Sequence, residues 1–278
     1  LASNTSFHKD VVFKAAVEAG RAIMEVYGTS FNVQTKKDAS PVTIADVKAH
    51  DIIVAALSTT QIPILSEEGE IPPYEVRKSW ERCWIVDPLD GTKEFVNRNG
   101  EFTVNIALVE DGKPIFGVIY IPVLRMLYVG NVVENKMEKV AVTENGTLQW
   151  DEATVFSAFA KLSRGQTGAE IPTSGIRIAA SKSHMNRTTE RYINKLKEKY
   201  TTVELVRRGS SLKFCLLAEG EIDVYPRFSP TMEWDTAAGH AICNAVGIAV
   251  IDESTGMEIV YNRKEMKNGS FVAENRSI

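Results

Sequence analysis

The stretch "WIVDPLDGTKEF", residues 84–95, runs an apolar segment into Asp87 and Asp90, three residues apart, and then turns on Gly91 and Thr92. Ionised carboxylates at the end of a buried strand are costly unless something cationic meets them. Just upstream, "IPILS" at 62–66 is another short apolar run, and it leads into Glu67 and Glu68. Polar or Pro-containing segments bound both runs, so both read as buried strands ending in acids. Downstream, "FTVNIALVEDGKPIFGVIYIP" at 102–122 holds two β-rich runs around Asp111-Gly112, a strong hairpin signal, and a long sheet is implied.

Helices flank this sheet. Apolar residues at Val12, Ala16, Ala19, Ile23 and Val26 predict an amphipathic helix over 8–27, closed by Gly28. Thr43 with Asp46 three residues on reads as a capping box that opens a second helix to about Leu57. The segment 145–175 loses periodicity and gathers Gly, Thr and Ser, which reads as an insertion or a connection between two halves, 1–150 and 151–278. Beyond it "IRIAAS", a helix over 186–199, "TVELV", a helix over 210–219, "IDVYP", a helix from Asp235 and "GIAVID" alternate, which predicts an α/β layered fold.

Bulk properties narrow the function classes. The 278 residues are 44% hydrophobic with net charge −4, and lysines and arginines are scattered, so no basic stripe for a nucleic-acid polymer is present. Cys83, Cys215 and Cys243 are odd in number, far apart and in apolar surroundings, which suits buried thiols in a reducing cytoplasm better than disulfides or zinc. No apolar run is long enough to span a membrane. A cytoplasmic protein is expected, with peripheral contact at the inner membrane left open.

The acids are ambiguous singly. Asp46 and Asp235, the latter in "EWDTAAGHAI", suit helix N-termini, Glu67 and Glu68 suit a solvated turn, and Asp87 and Asp90 suit turns before Pro88 and Gly91. Strand ends in α/β folds gather on one side, however, so these carboxylates can meet. Together they would repel one another unless divalent cations intervened. Carboxylates plus the carbonyl of Leu89 form an all-oxygen set suited to Mg2+, and paired ions of this kind serve in-line phosphoryl displacement. Gly91 permits close backbone approach to a ligand, and "GTKEF" can open a helix whose amides face an anion. Thr92 is either an ordinary helix N-cap or the partner of a metal-bound water.

"SEE" at 66–68, "DPLDGT" at 87–92 and "WDTAAG" at 234–239 resemble the three metal-site motifs of the inositol monophosphatase superfamily, in the family's order and across almost the whole chain. "SPVTIADVKAH", "LSEEGE", "WIVDPLDGTKEFVNRNGEFTVNIALVEDGKPIFGVIY" and "GSSLKFCLLAEGEIDVYPRF" are similar to its CysQ branch, the 3'(2'),5'-bisphosphate nucleotidases. The resemblance implies an α-β-α-β-α sandwich and Mg2+-dependent, lithium-sensitive hydrolysis of 3'-phosphoadenosine 5'-phosphate to AMP, with the sulfated relative as a further substrate, in sulfate assimilation.

By motif position the resemblance implies a first ion on Glu67, Asp87 and the Leu89 carbonyl, a second on Asp87, Asp90 and Asp235, and a third, weaker one leaning on Glu67. Thr92 paired with Asp46 would position and deprotonate the attacking water, and the Gly91 and Thr92 amides would hold phosphate oxygens. For the nucleotide it implies Ser210, Lys213 at the mouth, Arg227 in "YPRF" and His184 in "SKSH". Two rivals stand beside it: an inositol or sugar phosphatase sharing the metal motifs, and an inactive metal- or nucleotide-binding regulator. Either a monomer or a homodimer is compatible with the chain, and 145–175 is longer than the branch leads one to expect.

Overall fold

Residues 6–29, 33–35, 41–157, 175–181 and 186–275 are described by the structure, a computed structural model. Alternation along the strand that ends in Asp87 and Asp90 fixes the layers. In β4 (Arg82–Asp90), Trp84 and Val86 enter one hydrophobic cluster while Cys83 and Ile85 enter another on the opposite face. The same two-residue period puts Val104, Ile106 and Leu108 of β5 (Thr103–Glu110) on the first face and Ala107 and Val109 on the second. Being apolar on both faces, these strands are central in a seven-stranded sheet.

That sheet runs, in spatial order, through β3 (Ile64–Ser66), β4, β5, β6 (Lys113–Ile121), β7 (Met126–Asn131), β8 (Lys136–Ala141) and β9 (Thr154–Ser157). Only β3 and β4 pair in parallel; the rest are antiparallel neighbours. Asp111 (φ 48°) and Gly112 (φ 76°) turn the β5–β6 hairpin as expected, both in the left-handed region. Helices α1 (Ser6–Tyr27) and α2 (Ile44–Ser58) cover the first face, burying Val12, Ala16, Ala19, Ile23, Ala49 and Ile53 there. A short antiparallel pair, β1 (Val33–Thr35) and β2 (Pro41–Thr43), joins them.

The second sheet is five-stranded, in the order β11 (Val203–Arg208), β10 (Ile176–Ser181), β12 (Val224–Arg227), β16 (Phe271–Glu274) and β14 (Val250–Asp252). Between the sheets lie α6 (Leu212–Glu219) and α7 (Glu233–Asn244), and α5 (Arg187–Lys199) covers the outer face through Ile193 and Tyr200 beside Ile176, Ile178 and Val224. The layers are therefore α-β-α-β-α. Shorter pieces are the helices α3 (Tyr74–Arg77) and α4 (Thr92–Val96), a 3-10 turn at Trp150–Glu152, and the strand pair β13 (Thr231–Met232) with β15 (Lys267–Asn268).

Glycine decides how closely α7 approaches the first sheet. Gly117 and Gly130 pair across β6 and β7, and a Cβ on either would come 2.5 Å from the Ala238 carbonyl oxygen or the Ile242 Cα of α7. With hydrogen there instead, the helix lies against the strands and its N-terminus reaches the end of β4.

Some local expectations change. The helix expected from Asp235 begins two residues earlier, at Glu233, because the buried Glu233 carboxylate accepts the backbone amides of residues 262 and 263 and anchors the helix start there. Residues 154–157, inside the segment expected to be irregular, form β9 because β8 offers them a free edge; 158–174 lie outside the described residues. α2 begins where the expected capping box opens it, though the Thr43 side chain is outside the described set.

Candidate active site

β3, β4 and α7 deliver their acids to one point. The parallel pairing of Ser66 with Val86, extended by the Glu67 amide donating to the Val86 carbonyl at 3.1 Å, places Glu67 beside Asp87. α7 presents Asp235 from its first turn. Carboxylate oxygens of Glu67, Asp87 and Asp235 all lie within 4.8 Å of one another.

Asp87 is 1% exposed, and its Oδ1 accepts the Leu89 amide at 3.1 Å. Burial pushes its pKa well above the usual carboxylate range, and the charges of Glu67, Asp90, Asp235 and Asp46 push it further. Asp235 is pushed up to about 8, first by burial and then by Asp90, although its carboxylate caps its own helix by accepting the Met232 amide at 2.8 Å. Among the described residues no lysine or arginine forms an ion pair with Asp87 or Asp235. Clustered oxygen donors that raise one another's proton affinity fit a hard divalent cation, whose charge would replace the missing counter-ion.

Asp90 sits beside this triad, displaced by a β-bulge. β4 pairs Asp87 with Asn105 and Asp90 with Thr103, so the register slips between them. The bulge turns Asp90 towards the segment before α6, where its Oδ2 accepts the Ser210 hydroxyl at 2.6 Å, the Ser211 amide at 2.6 Å and the Ser211 hydroxyl at 2.7 Å. Gly91 follows at φ 92°, a conformation a side chain would strain, and a Cβ there would come within 3.3 Å of Ser210. Gly91 is the N-cap of α4 and Thr92 its first residue, so the reading of Thr92 as an ordinary N-cap does not hold. The Thr92 hydroxyl stands 3.5 Å from the Leu89 carbonyl oxygen. Asp46, 2% exposed in the first turn of α2, is near enough for its charge to act on Asp87.

Except for Asp46, which lies outside its lining, these groups line a cleft of about 280 Å³. Lys213, Arg227, Tyr225 and Lys93 also line it. Lys213 is not a mobile residue at the mouth: it is 3% exposed, lies 5.4 Å from the Tyr225 ring centre, and donates to the carbonyls of Arg208 (3.1 Å) and Ser210 (2.5 Å). Burial, then the charge of Arg227, lowers its pKa to about 8. The Arg227 Nε is buried and has no hydrogen-bond partner among the described residues, an unmet donor on an otherwise satisfied wall. His184 lies outside the described residues.

The structure thus gathers Glu67, Asp87, Leu89, Asp90, Gly91, Thr92, Ser210, Lys213, Arg227 and Asp235 around one cleft. Sequence reasoning missed Ser211, Tyr225 and Thr236. Tyr225 was within reach, since it stands two residues from Arg227 on β12 and shares its face. Ser211 was hidden beside Ser210, where nothing in the sequence distinguishes the two hydroxyls.

A five-layer α-β-α-β-α fold whose strand and helix ends converge on an oxygen-rich carboxylate cluster defines the class. The family model of the inositol monophosphatase family matches residues 6–277, and the chain belongs to that family. Within it the chain is an enzyme of the CysQ branch. It is 45% identical over 247 residues to the 3'(2'),5'-bisphosphate nucleotidase CysQ of Escherichia coli strain K12, covering 87% of this chain and 89% of that one. Its identity to the protein of the same name from Buchnera aphidicola is 41% over 271 residues, covering 95% and 92%. The crystal structure of CysQ from Bacteroides thetaiotaomicron superposes with a TM-score of 0.77 at 42% identity, over 95% of each chain.

Proposed function

We propose that the protein hydrolyses the 3'-phosphate of 3'-phosphoadenosine 5'-phosphate, and of its 5'-sulfated relative, to give inorganic phosphate and the 3'-dephosphorylated nucleotide, using Mg2+. The observation that carries this reading is one cleft lined by both an acidic cluster and cations. Carboxylate oxygens of Glu67, Asp87 and Asp235 lie within 4.8 Å of one another, and Lys213 and Arg227 line the same cleft, with the Arg227 Nε lacking a hydrogen-bond partner among the described residues. A substrate with one phosphate at the reacting centre and a second anion beyond it fits both. The relatives' shared name supports the same choice.

Two to three Mg2+ ions would be held by Glu67, Asp87, the Leu89 carbonyl, Asp90 and Asp235. When bound they would offset phosphate charge and acidify water. The chain's residues do the rest. Thr92 and Asp46 orient the attacking water and accept its proton, and the Gly91 and Thr92 amides donate to phosphate oxygens. The water oxygen bonds to phosphorus as the bond to the ribose 3'-oxygen breaks, and that oxygen takes its proton from a solvent water, which the proton accepted from the attacking water restores. Arg227 and the one Lys213 N–H not given to a carbonyl meet the 5'-phosphate. Three free, buried cysteines suit a reducing cytoplasm.

Phosphate release from 3'-phosphoadenosine 5'-phosphate, its sulfated relative and inositol monophosphate, measured in parallel with Mg2+, tests the proposal. Preference for the two nucleotides is expected. Turnover of inositol monophosphate alone would move the assignment to the sugar-phosphate branch, and tight nucleotide binding without turnover would leave a binding protein.

A further inference from the structure

At the cleft wall five side chains lie in a ring of polar contacts, in which the single hydroxyl protons of Ser210 and Thr103 have alternative acceptors. The Asp90 Oδ2 accepts from the Ser210 and Ser211 hydroxyls at 2.6 and 2.7 Å. Ser210 Oγ lies 2.7 Å from Thr103 Oγ1, Thr103 donates to Asn105 Oδ1 at 2.9 Å, and Asn105 Nδ2 donates to Ser211 Oγ at 2.9 Å. Thr103, Asn105 and Ser211 are each no more than 2% exposed, so these contacts do not compete with bulk water. Thr103 and Asn105 stand two apart on β5, opposite Asp90 and Asp87, and the ring therefore sits on the bulge that displaces Asp90.

Ser211 has one contact that the ring does not need. Its hydroxyl also lies 3.1 Å from the backbone carbonyl of Asp235, which shares with Asp90 Oδ2 the single proton that Ser211 can donate. One oxygen thus touches the Asp90 side chain, which belongs to the first sheet, and the Asp235 backbone, which belongs to the helix between the sheets. Side chains that hold a ligand from behind normally govern metal affinity by fixing its orientation.

We propose that Ser211, held in place by Asn105, is a positioning residue that sets the separation and orientation of Asp90 and Asp235 and so tunes the cation position these two share. The inference rests on the metal-site reading above. Ser211 lines the cleft and would act through the two aspartates it contacts; with Oδ2 of Asp90 taken by its donors, Oδ1 is the oxygen left for a cation.

The test counts Mn2+, a spectroscopic stand-in for Mg2+, bound to wild type, Ser211→Ala, Ser211→Thr and Asn105→Ala by electron paramagnetic resonance of the free ion, with Mg2+-dependent kcat measured beside it. Wild type should bind more than one Mn2+. Ser211→Ala should weaken one binding step by about 10- to 100-fold, leave the other within about threefold and raise the Mg2+ needed for half-maximal kcat, with KM for the nucleotide little changed. Asn105→Ala should do the same more weakly, and Ser211→Thr, which keeps the hydroxyl, should recover most of the affinity. A Ser211→Ala protein that melts lower but binds Mn2+ as wild type does overturns the inference and leaves the metal site standing. Failure of wild type to bind Mn2+ overturns both. If Ser211→Ala does not fold, Ser211→Cys, which keeps size and weakens the donor, is read by the same criteria.

Discussion

Replacing Asp235 with Asn removes a charge while keeping shape and the oxygen that accepts the Met232 amide. In the metal-free protein the Asp235 carboxyl is raised from an ordinary 3.8 to about 8, by burial and then by Asp90. A folded-state value above the unfolded one means the native protein holds that proton more tightly. Its contribution to stability is complete below the unfolded value and is lost as pH rises towards about 8. A shift of about four units at ~1.4 kcal/mol each caps the effect near 6 kcal/mol. Asp235 borders the open cleft, and screening by water there brings the expected cost to about 2–3 kcal/mol. Without metal, at about pH 8.5, Asp235→Asn should melt roughly 4–8 °C above wild type, and at about pH 5 the difference should shrink to about a third of that, vanishing only below the unfolded value. Excess Mg2+ should reverse the order, since only wild type keeps the full ligand set. Calorimetry in chelator and then in Mg2+ at both pH values reads all of this. A variant less stable than wild type in chelator at the higher pH, or a difference independent of pH, would refute the reasoning.

Three further outcomes are expected. Gly117→Ala puts a methyl 2.5 Å from the Ala238 carbonyl oxygen and must push α7 off the sheet, costing about 1–3 kcal/mol in denaturant melts and lowering kcat as Asp235 withdraws. Arg227→Met should raise KM for the bisphosphate nucleotide at least tenfold with kcat within about threefold, whereas Thr92→Val should lower kcat about a hundredfold with little change in KM; steady-state kinetics separates the two patterns. Lithium at millimolar levels should inhibit by occupying a cation position with too little charge, and phosphate release unaffected by lithium would contradict the carboxylate cluster's assigned role.

Much of this architecture is legible in the chain because it rests on local physics. The continuous apolar run through Trp84, Ile85 and Val86, the Asp111-Gly112 turn and the spacing of Val12 to Val26 predict the strand, hairpin and helix that the structure contains. Ligand candidates were legible for another reason: acids that end apolar runs are unusual, and strand ends converge. What stayed hidden depends on partners distant in sequence. Nothing near Glu233 reveals that residues 262–263 will anchor it and move the start of α7. Lys213 looks solvated in an isolated helix, and only the Tyr225 ring and the Arg208 and Ser210 carbonyls enclose it. Ser211 acquires its role from a bulge and from the arrival of Asp235, both tertiary events.

The proposed reaction is regiospecific: the carboxylate cluster would take the 3'-phosphate while Lys213 and Arg227 would retain the 5'-phosphate. Phosphorus NMR of 3'-phosphoadenosine 5'-phosphate incubated with the protein and Mg2+ tests it directly, with Asp87→Asn as the inactive control. Loss of the 3'-phosphate resonance, growth of inorganic phosphate and an intact 5'-phosphate are predicted for wild type, with no change in the variant. Accumulation of 3'-AMP, or equal release by Asp87→Asn, would contradict the account.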